Sequence, residues 1–190
     1  MAFLLTGSNL GNRLQNLRTA AALVEKHCGS IGSTSSIYQT AAWGFAEQPD
    51  FYNQALSVST LLEPDALMQQ LLAIESSMGR QRSFKMAPRI IDIDILLMNE
   101  TEHDNFSHTG ECTWRGSMRQ LKKQICTNEI IYESAVVTIP HPRLAERRFV
   151  LTPLAEIAGN IIHPEYKKTM NELLAECKDK LAVHKISAKK

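Results

Sequence analysis

Three features of this 190-residue sequence predict an α+β fold. Apolar, β-branched runs open the chain and recur along it. Two segments between those runs carry apolar residues at helical spacing. Gly, Pro and Asn clusters separate the elements. The resulting order, β-α-β-β-α-β, is the ferredoxin-like plan: an antiparallel sheet with both helices packed on one face. A C-terminal hairpin and short helices are expected after this core.

Residues 2–6 read as the first strand, ended by the turn cluster Gly7-Ser8-Asn9. From Arg13 the pattern turns helical. Leu14, Leu17, Ala21, Val24 and Cys28 form one buried stripe, with Lys26 and His27 in the last turn and Gly29 as the stop. Residues 31–40 read as a strand, 41–50 as a long loop and 51–62 as another strand. Pro64 opens the second helix, in which Leu67, Leu71, Ile74 and Met78 face the core before Gly79. The run from Ile90 to Met98 alternates with period two and reads as a strand. Residues 100–127 are polar, lack periodicity and look like an insertion; a disordered loop is the expectation. Residues 129–139 read as extended chain, 144–158 as short helical pieces, 169–184 as an amphipathic helix, and the lysine-rich end as frayed. The expected organisation is one domain over 1–165, interrupted at 100–127, with 166–190 appended as a helix and tail.

Composition excludes several classes of function. Lys and Arg number 21 against 20 Asp and Glu, so no global field attracts a nucleic-acid backbone or an acidic membrane. No apolar run reaches the roughly 20 residues needed to span a bilayer, and the first residues lack the basic start of a secretory signal. A cytoplasmic, monomeric protein is expected, with Cys28, Cys112, Cys126 and Cys177 as reduced thiols, since they form no C-x-x-C pair.

The chemistry centres on Asp92 and Asp94. Residues i and i+2 of a strand share a face, so the two carboxylates lie side by side while Ile91, Ile93 and Ile95 point into the core. Such a pair suits Mg²⁺, which takes one or two carboxylates together with substrate phosphates. The alternative is two exposed acids on a solvated sheet face. Arg80, Arg82, Lys85 and Arg89 precede the acids, where cations on a loop can neutralise a triphosphate; the alternative is a solvated basic loop. His141, Arg143, Arg147 and Arg148 form a second basic cluster. No Walker loop is present, and Gly7 and Gly11 are assigned a turn role only. His103, His108, Cys112 and Cys126 match no standard zinc spacing.

The segment Lys85-Met86-Ala87-Pro88-Arg89-Ile90-Ile91-Asp92-Ile93-Asp94-Ile95-Leu96 resembles the signature of the 6-hydroxymethyl-7,8-dihydropterin pyrophosphokinase family. Gly7 to Gly11, Ser36 to Thr40, Gln48 to Ala55, Ile139 to Arg143 and Arg147 to Leu154 resemble further motifs of that family. The resemblance covers about residues 2–99 and 128–165. It implies transfer of pyrophosphate from ATP to the hydroxymethyl group of the dihydropterin, leaving AMP, in folate biosynthesis. It further implies two Mg²⁺ ions on Asp92 and Asp94, with Arg82 as a catalytic cation. Arg80, Arg82, Lys85, Arg89, His141 and Arg147 are implied as ATP contacts. Thr40, Ala42, Phe51, Asn53 and Phe149 are implied as pterin contacts. Tyr52 is expected to pack into the sheet. The competing readings are a relative that binds ligands without catalysis and a ferredoxin-like RNA-binding module. Two aspartates on the open strand would repel an RNA backbone, which disfavours the latter.

Overall fold

The computed structural model describes residues 1–42, 48–80, 87–99, 122–126 and 129–186. Its centre is a strand that the hydrophobic pattern makes unavoidable. In β1 (Ala2–Ser8) every residue is buried, because the strand lies inside the sheet with helices over both faces. It pairs antiparallel with β4 (Phe51–Ser59) on one side and β5 (Asp92–Met98) on the other. The predicted strand over 31–40 is broken into β2 (Ser30–Thr34) and β3 (Tyr38–Thr40), both antiparallel to β4. The sheet order is β5-β1-β4-β3-β9, with β2 also on β4.

Helices α1 (Arg13–His27) and α2 (Pro64–Ser77) share one face of this sheet, as expected. The Asn12 side chain caps α1 by accepting from the Gln15 N–H at 3.1 Å. Leu17, Ala20 and Val24 of this helix, and Cys28 at its C-terminal cap, are buried against Leu4, Leu56, Ile93 and Ile95, with Leu67, Leu71 and Ile74 of α2 in the same core. Ala20 rather than Ala21 takes the innermost position. Gly29 follows with φ +140°, and a Cβ there would lie 2.1 Å from the Ser59 carbonyl oxygen, so only glycine fits this stop.

The other face is covered by α3 (Arg148–Ala158) and α4 (Met170–Glu176). Val150, Leu151, Leu154, Met170 and Leu173 pack there on Phe3, Leu5, Leu96 and Leu97. The region read as helical pieces is thus one helix preceded by a turn. A bulge in β5, between the partners of Phe3 and Leu4, puts consecutive Leu96 and Leu97 on this side. The helix expected over 169–184 stops at Glu176. Two further departures concern segments read as loop or tail. The end of the polar insertion forms β6 (Lys122–Cys126), paired with β7 (Glu129–Glu133) and then β8 (Thr138–Ile139) in a three-stranded sheet. The lysine-rich end forms β9 (Val183–Lys185), paired antiparallel with β3. Short strands with edge hydrogen bonds to satisfy leave little periodicity to read. The rest of the insertion, including His103, His108 and Cys112, lies outside the described residues.

Glu156 of α3 ties this outer layer to the sheet edge. It accepts from the Ser36 N–H at 2.9 Å, the Ser36 hydroxyl at 2.8 Å and the Tyr38 hydroxyl at 2.9 Å, and pairs with Lys185 at 3.1 Å. Partial burial pushes its carboxyl up, but these donors outweigh that and hold it down at about 2. A folded value below the ordinary one stabilises the fold above pH 4.5, and the contribution fades as pH falls from there toward 2. Discounted for solvent screening, it amounts to about 1–2 kcal/mol. Glu156→Gln is expected to lose that amount at pH 7 in urea unfolding, with the gap to the unsubstituted protein closing in acid. A gap unchanged across that range would contradict this assignment.

Candidate active site

The register of the sheet assembles the site. Asn53 of β4, Gly7 of β1 and Asp92 of β5 are paired in one row, and Leu5 is paired with Asp94 one step along. Leu5 packs under α3 and α4, so this row lies on their face while Ile93 and Ile95 enter the opposite core. The strand geometry inferred for Asp92 and Asp94 therefore holds.

Asp92 lies between two guanidiniums. Arg80 reaches its Oδ1 at 2.7 Å and Arg89 its Oδ2 at 2.6 Å. Arg80 also pairs with Glu75, which is 2 % exposed. The second Glu75 task is to accept the Ile93 N–H at 2.7 Å, which satisfies a buried donor on edge strand β5. Burial raises the Glu75 carboxyl, against Arg80 and the Ile93 bond, which lower it; the Asp92 charge adds to the rise, and the net direction is up. For Arg80, burial works against the charged form, but Asp92 and Glu75 more than offset it and raise its pKa.

Asp94 is pushed up to about 7, first by burial and then by the Asp92 charge, with Arg147 and Arg80 opposing. The Asp92 charge thus works against a second charge on Asp94, a repulsion that a divalent cation would relieve. The donor set fits Mg²⁺, which needs only one or two protein carboxylates beside phosphate and water oxygens. Among the described residues no group of three or more His, Cys, Asp or Glu side chains is placed to hold a metal by itself.

His141 joins the site through the edge of β5, donating its N–H to the Leu96 carbonyl at 2.9 Å. Its Nδ1 accepts from the Arg143 N–H at 3.1 Å. Burial, with Arg147 next, lowers its pKa to about 4. The ring is neutral at pH 7 and carries its proton on Nε2. Arg147 is lowered by burial and by Arg143, against the pull of Asp94 and Asp92. Its guanidinium carbon lies 5.6 Å from the Phe149 ring centre, as that of Arg89 lies 5.7 Å from Phe51.

Phe51 and Asn53 flank Gly7: a Cβ built on Gly7 would lie 3.0 Å from Asn53 Oδ1 and 3.7 Å from Phe51 Cδ1. The Asn53 amide donates to the Thr40 hydroxyl at 2.8 Å. Tyr52 points the other way, packs against the α1/α2 core and carries Arg13 stacked 3.8 Å from its ring centre. Ala42 follows β3 and is partly buried. Arg82 and Lys85 lie outside the described residues, as do residues 43–47.

Sequence reasoning missed three contributors. Gly7 is a strand residue facing the site, not a turn glycine; Gly11, at φ +62°, is the turn glycine. Glu75 was hidden because it sits beside the apolar stripe of α2, where an acid reads as exposed. Asn9, 1 % exposed, joins two loops. Its Oδ1 accepts from the Arg89 N–H at 2.7 Å, and its Nδ2 donates to Gln48 Oε1 at 3.0 Å and the Pro49 carbonyl at 3.2 Å. An asparagine after a strand signals a turn, and nothing local shows that it bonds across to a distant segment.

Glu75→Ala strands the Ile93 N–H and leaves Arg80 with one carboxylate fewer. It is expected to lose about 2–4 kcal/mol of unfolding free energy in urea titration. A loss under about 0.5 kcal/mol would mean that water replaces the carboxylate at no cost.

Comparison with known proteins gives this geometry a family. Residues 3–159 match the sequence model for 7,8-dihydro-6-hydroxymethylpterin-pyrophosphokinase (HPPK). The 2-amino-4-hydroxy-6-hydroxymethyldihydropteridine pyrophosphokinase of Bacillus subtilis is 35% identical over 85% of this chain and 80% of its own length. The protein of the same name from Aquifex aeolicus is 33% identical over 90% and 88%. The folic acid synthesis protein FOL1 of Dictyostelium discoideum is 36% identical over 91% of this chain, which spans only 22% of that longer protein. Among solved structures, an HPPK-DHPS in complex with substrates superposes with TM-score 0.62 at 17% identity, covering 92% of this chain and 43% of its own. Plasmodium falciparum HPPK-DHPS gives 0.62 at 19% identity, covering 92% and 45%. At those identities the structures speak to the fold alone. The chain belongs to the HPPK family and is a pyrophosphokinase, transferring pyrophosphate from ATP to hydroxymethyldihydropterin in folate biosynthesis.

Proposed function

We propose that Asp92 and Asp94 are the metal-binding centre of this pyrophosphokinase and that the basic residues around them hold the triphosphate. The observation that carries this reading is the shared face of the two carboxylates, with Arg80 and Arg89 on Asp92 at 2.7 and 2.6 Å. Asp92 and Asp94 would hold two Mg²⁺ ions, which when bound screen the phosphate charge and favour ionisation of the attacking hydroxyl. Arg80 and Arg89 stand ready to turn from Asp92 to phosphate oxygens once a cation takes over the carboxylates. Neutral His141 offers an Nε2–H donor, and Arg147 adds charge from the α3 side. Arg82 and Lys85 are assigned to the phosphates by family resemblance, with Arg82 as the catalytic cation.

The pterin is placed on the same row, toward β4. Asn53 would meet its amide edge, Thr40 and Ala42 would offer backbone groups, and the Phe51 and Phe149 rings would stack on its faces. This sets the hydroxymethyl group toward Asp92 and Asp94, because Asn53, Gly7 and Asp92 are consecutive across the strands. Catalysis then comes mainly from holding two reactants in line and from fixed positive charge.

The strand order, with β1 between β4 and β5, supports a ferredoxin-like core, whose second strand is here divided into β2 and β3. We read residues 1–165 as one domain with 100–127 inserted and 166–190 appended, working as a cytoplasmic monomer. Among the described residues no helix is long and apolar enough to cross a membrane.

A product assay tests the chemistry. With Mg²⁺, ATP and 6-hydroxymethyl-7,8-dihydropterin the protein is expected to form AMP, and none when either metal or pterin is left out. ADP as the nucleotide product would refute pyrophosphoryl transfer. Asp94→Ala is expected to lower kcat by at least about a thousandfold while the circular dichroism spectrum is kept. Full activity in that variant would remove the carboxylate pair from the mechanism.

A further inference from the structure

Helix α3 cannot cap its own start. Arg147 stands at the N-cap and makes no side-chain cap hydrogen bond, because a guanidinium carries donors and no acceptor. No acidic residue occupies the first turn. Arg147 and Arg148 also put positive charge at the end of the helix dipole that disfavours it. The missing acceptor comes from 31 residues further along the chain: Asp179 Oδ2 accepts the Arg148 N–H at 2.9 Å.

Asp179 is itself held from both sides. Its Oδ1 accepts the Leu181 N–H at 2.9 Å. Before it, Cys177 closes α4 as a buried residue. After it, the chain enters β9, where Val183, His184 and Lys185 pair with Thr40, Gln39 and Tyr38. The Ile186 N–H then reaches the Ile37 carbonyl at 2.8 Å. A serine or aspartate at position 147 would cap the helix locally, but it would remove the cation that favours the charged form of Asp94. A remote cap keeps both the cation and an ordered helix start.

We propose that Asp179 is a positioning residue for the reaction: by capping α3 from the C-terminal segment, it holds Arg147 and Phe149 where the triphosphate and the pterin meet them. The inference rests on the reading of those two residues as substrate contacts.

Steady-state kinetics on the full chain, with melting temperatures to report folding, tests it. Asp179→Ala is expected to raise the KM of both ATP and the pterin by about fivefold, within the range set by loss of one helix cap, with kcat changing by less than about twofold. Asp179→Asn, which keeps one of the two oxygens, is expected to lie between. Proline at the first helical position has no N–H to cap, and the extended backbone of Arg147, at φ −115° and ψ 112°, suits the residue before it. In an Arg148→Pro background, Asp179→Ala is therefore expected to change either KM by less than about twofold. Glu156→Gln is the control: it loosens the same helix further along and is expected to lower the melting temperature with both KM values unchanged. Arg147→Ala and Phe149→Ala, run alongside, are expected to raise the KM of ATP and of the pterin respectively, at least as much as Asp179→Ala does. If they do, and Asp179→Ala only lowers the melting temperature, the positioning inference is overturned and the substrate contacts stand. Equal KM rises with and without Arg148→Pro overturn it too, since Asp179 then acts otherwise than through the cap. A matching KM rise in Glu156→Gln means general loosening of the helix and has the same consequence. If Arg147→Ala and Phe149→Ala leave both KM values unchanged, the substrate contacts fall and the inference falls with them.

Discussion

Two carboxylates side by side on one strand face are the constraint that organises this molecule. Burial and the neighbouring Asp92 charge push Asp94 up to about 7 even against the pull of Arg147 and Arg80. Arg80 and Arg89 pair with Asp92, and Glu75 anchors Arg80 from behind. Glu75 in turn holds the Ile93 N–H, on the residue between the two acids. The carboxylate pair on one face of β5 and the helix packing on the other are thus joined through a single side chain of α2. The two arginines offset the charge of Asp92 through direct ion pairs.

The pterin row proposed above is built by sheet register. Successive strands place Asn53, Gly7 and Asp92 in a row, so under the proposed assignment strand spacing would set the distance between the pterin edge and the carboxylate pair. Asn9 pins the segment carrying Arg89 to the one carrying Gln48 and Pro49. Side chains held on paired strands suit a reaction in which positioning matters more than any acid or base.

Much of this was legible in the sequence, and for physical reasons. Alternation of acids and isoleucines from Ile91 to Ile95 has one geometric meaning on a strand, and the stripe Leu67, Leu71, Ile74 has one on a helix. What was not legible depends on partners far away in the chain. Glu75 reads as a surface acid until β5 brings the Ile93 N–H to it. Gly7 reads as a turn residue because a glycine's emptiness matters only once Asn53 lies opposite. The terminal Val183 to Lys185 reads as a solvated tail, since a three-residue strand has no period; its place is set by the free edge of β3 and by Glu156. The family motifs carried the assignment of the basic residues further than spacing alone does.

The most direct test of the carboxylate account is calorimetric titration of Mn²⁺ into the full chain with a non-hydrolysable ATP analogue and the pterin present. The account predicts two ions bound per chain, and at most one, with at least about tenfold weaker affinity, in Asp92→Asn and in Asp94→Asn. Two ions bound with undiminished affinity in both variants would contradict it, and would place the metal chemistry elsewhere in the molecule.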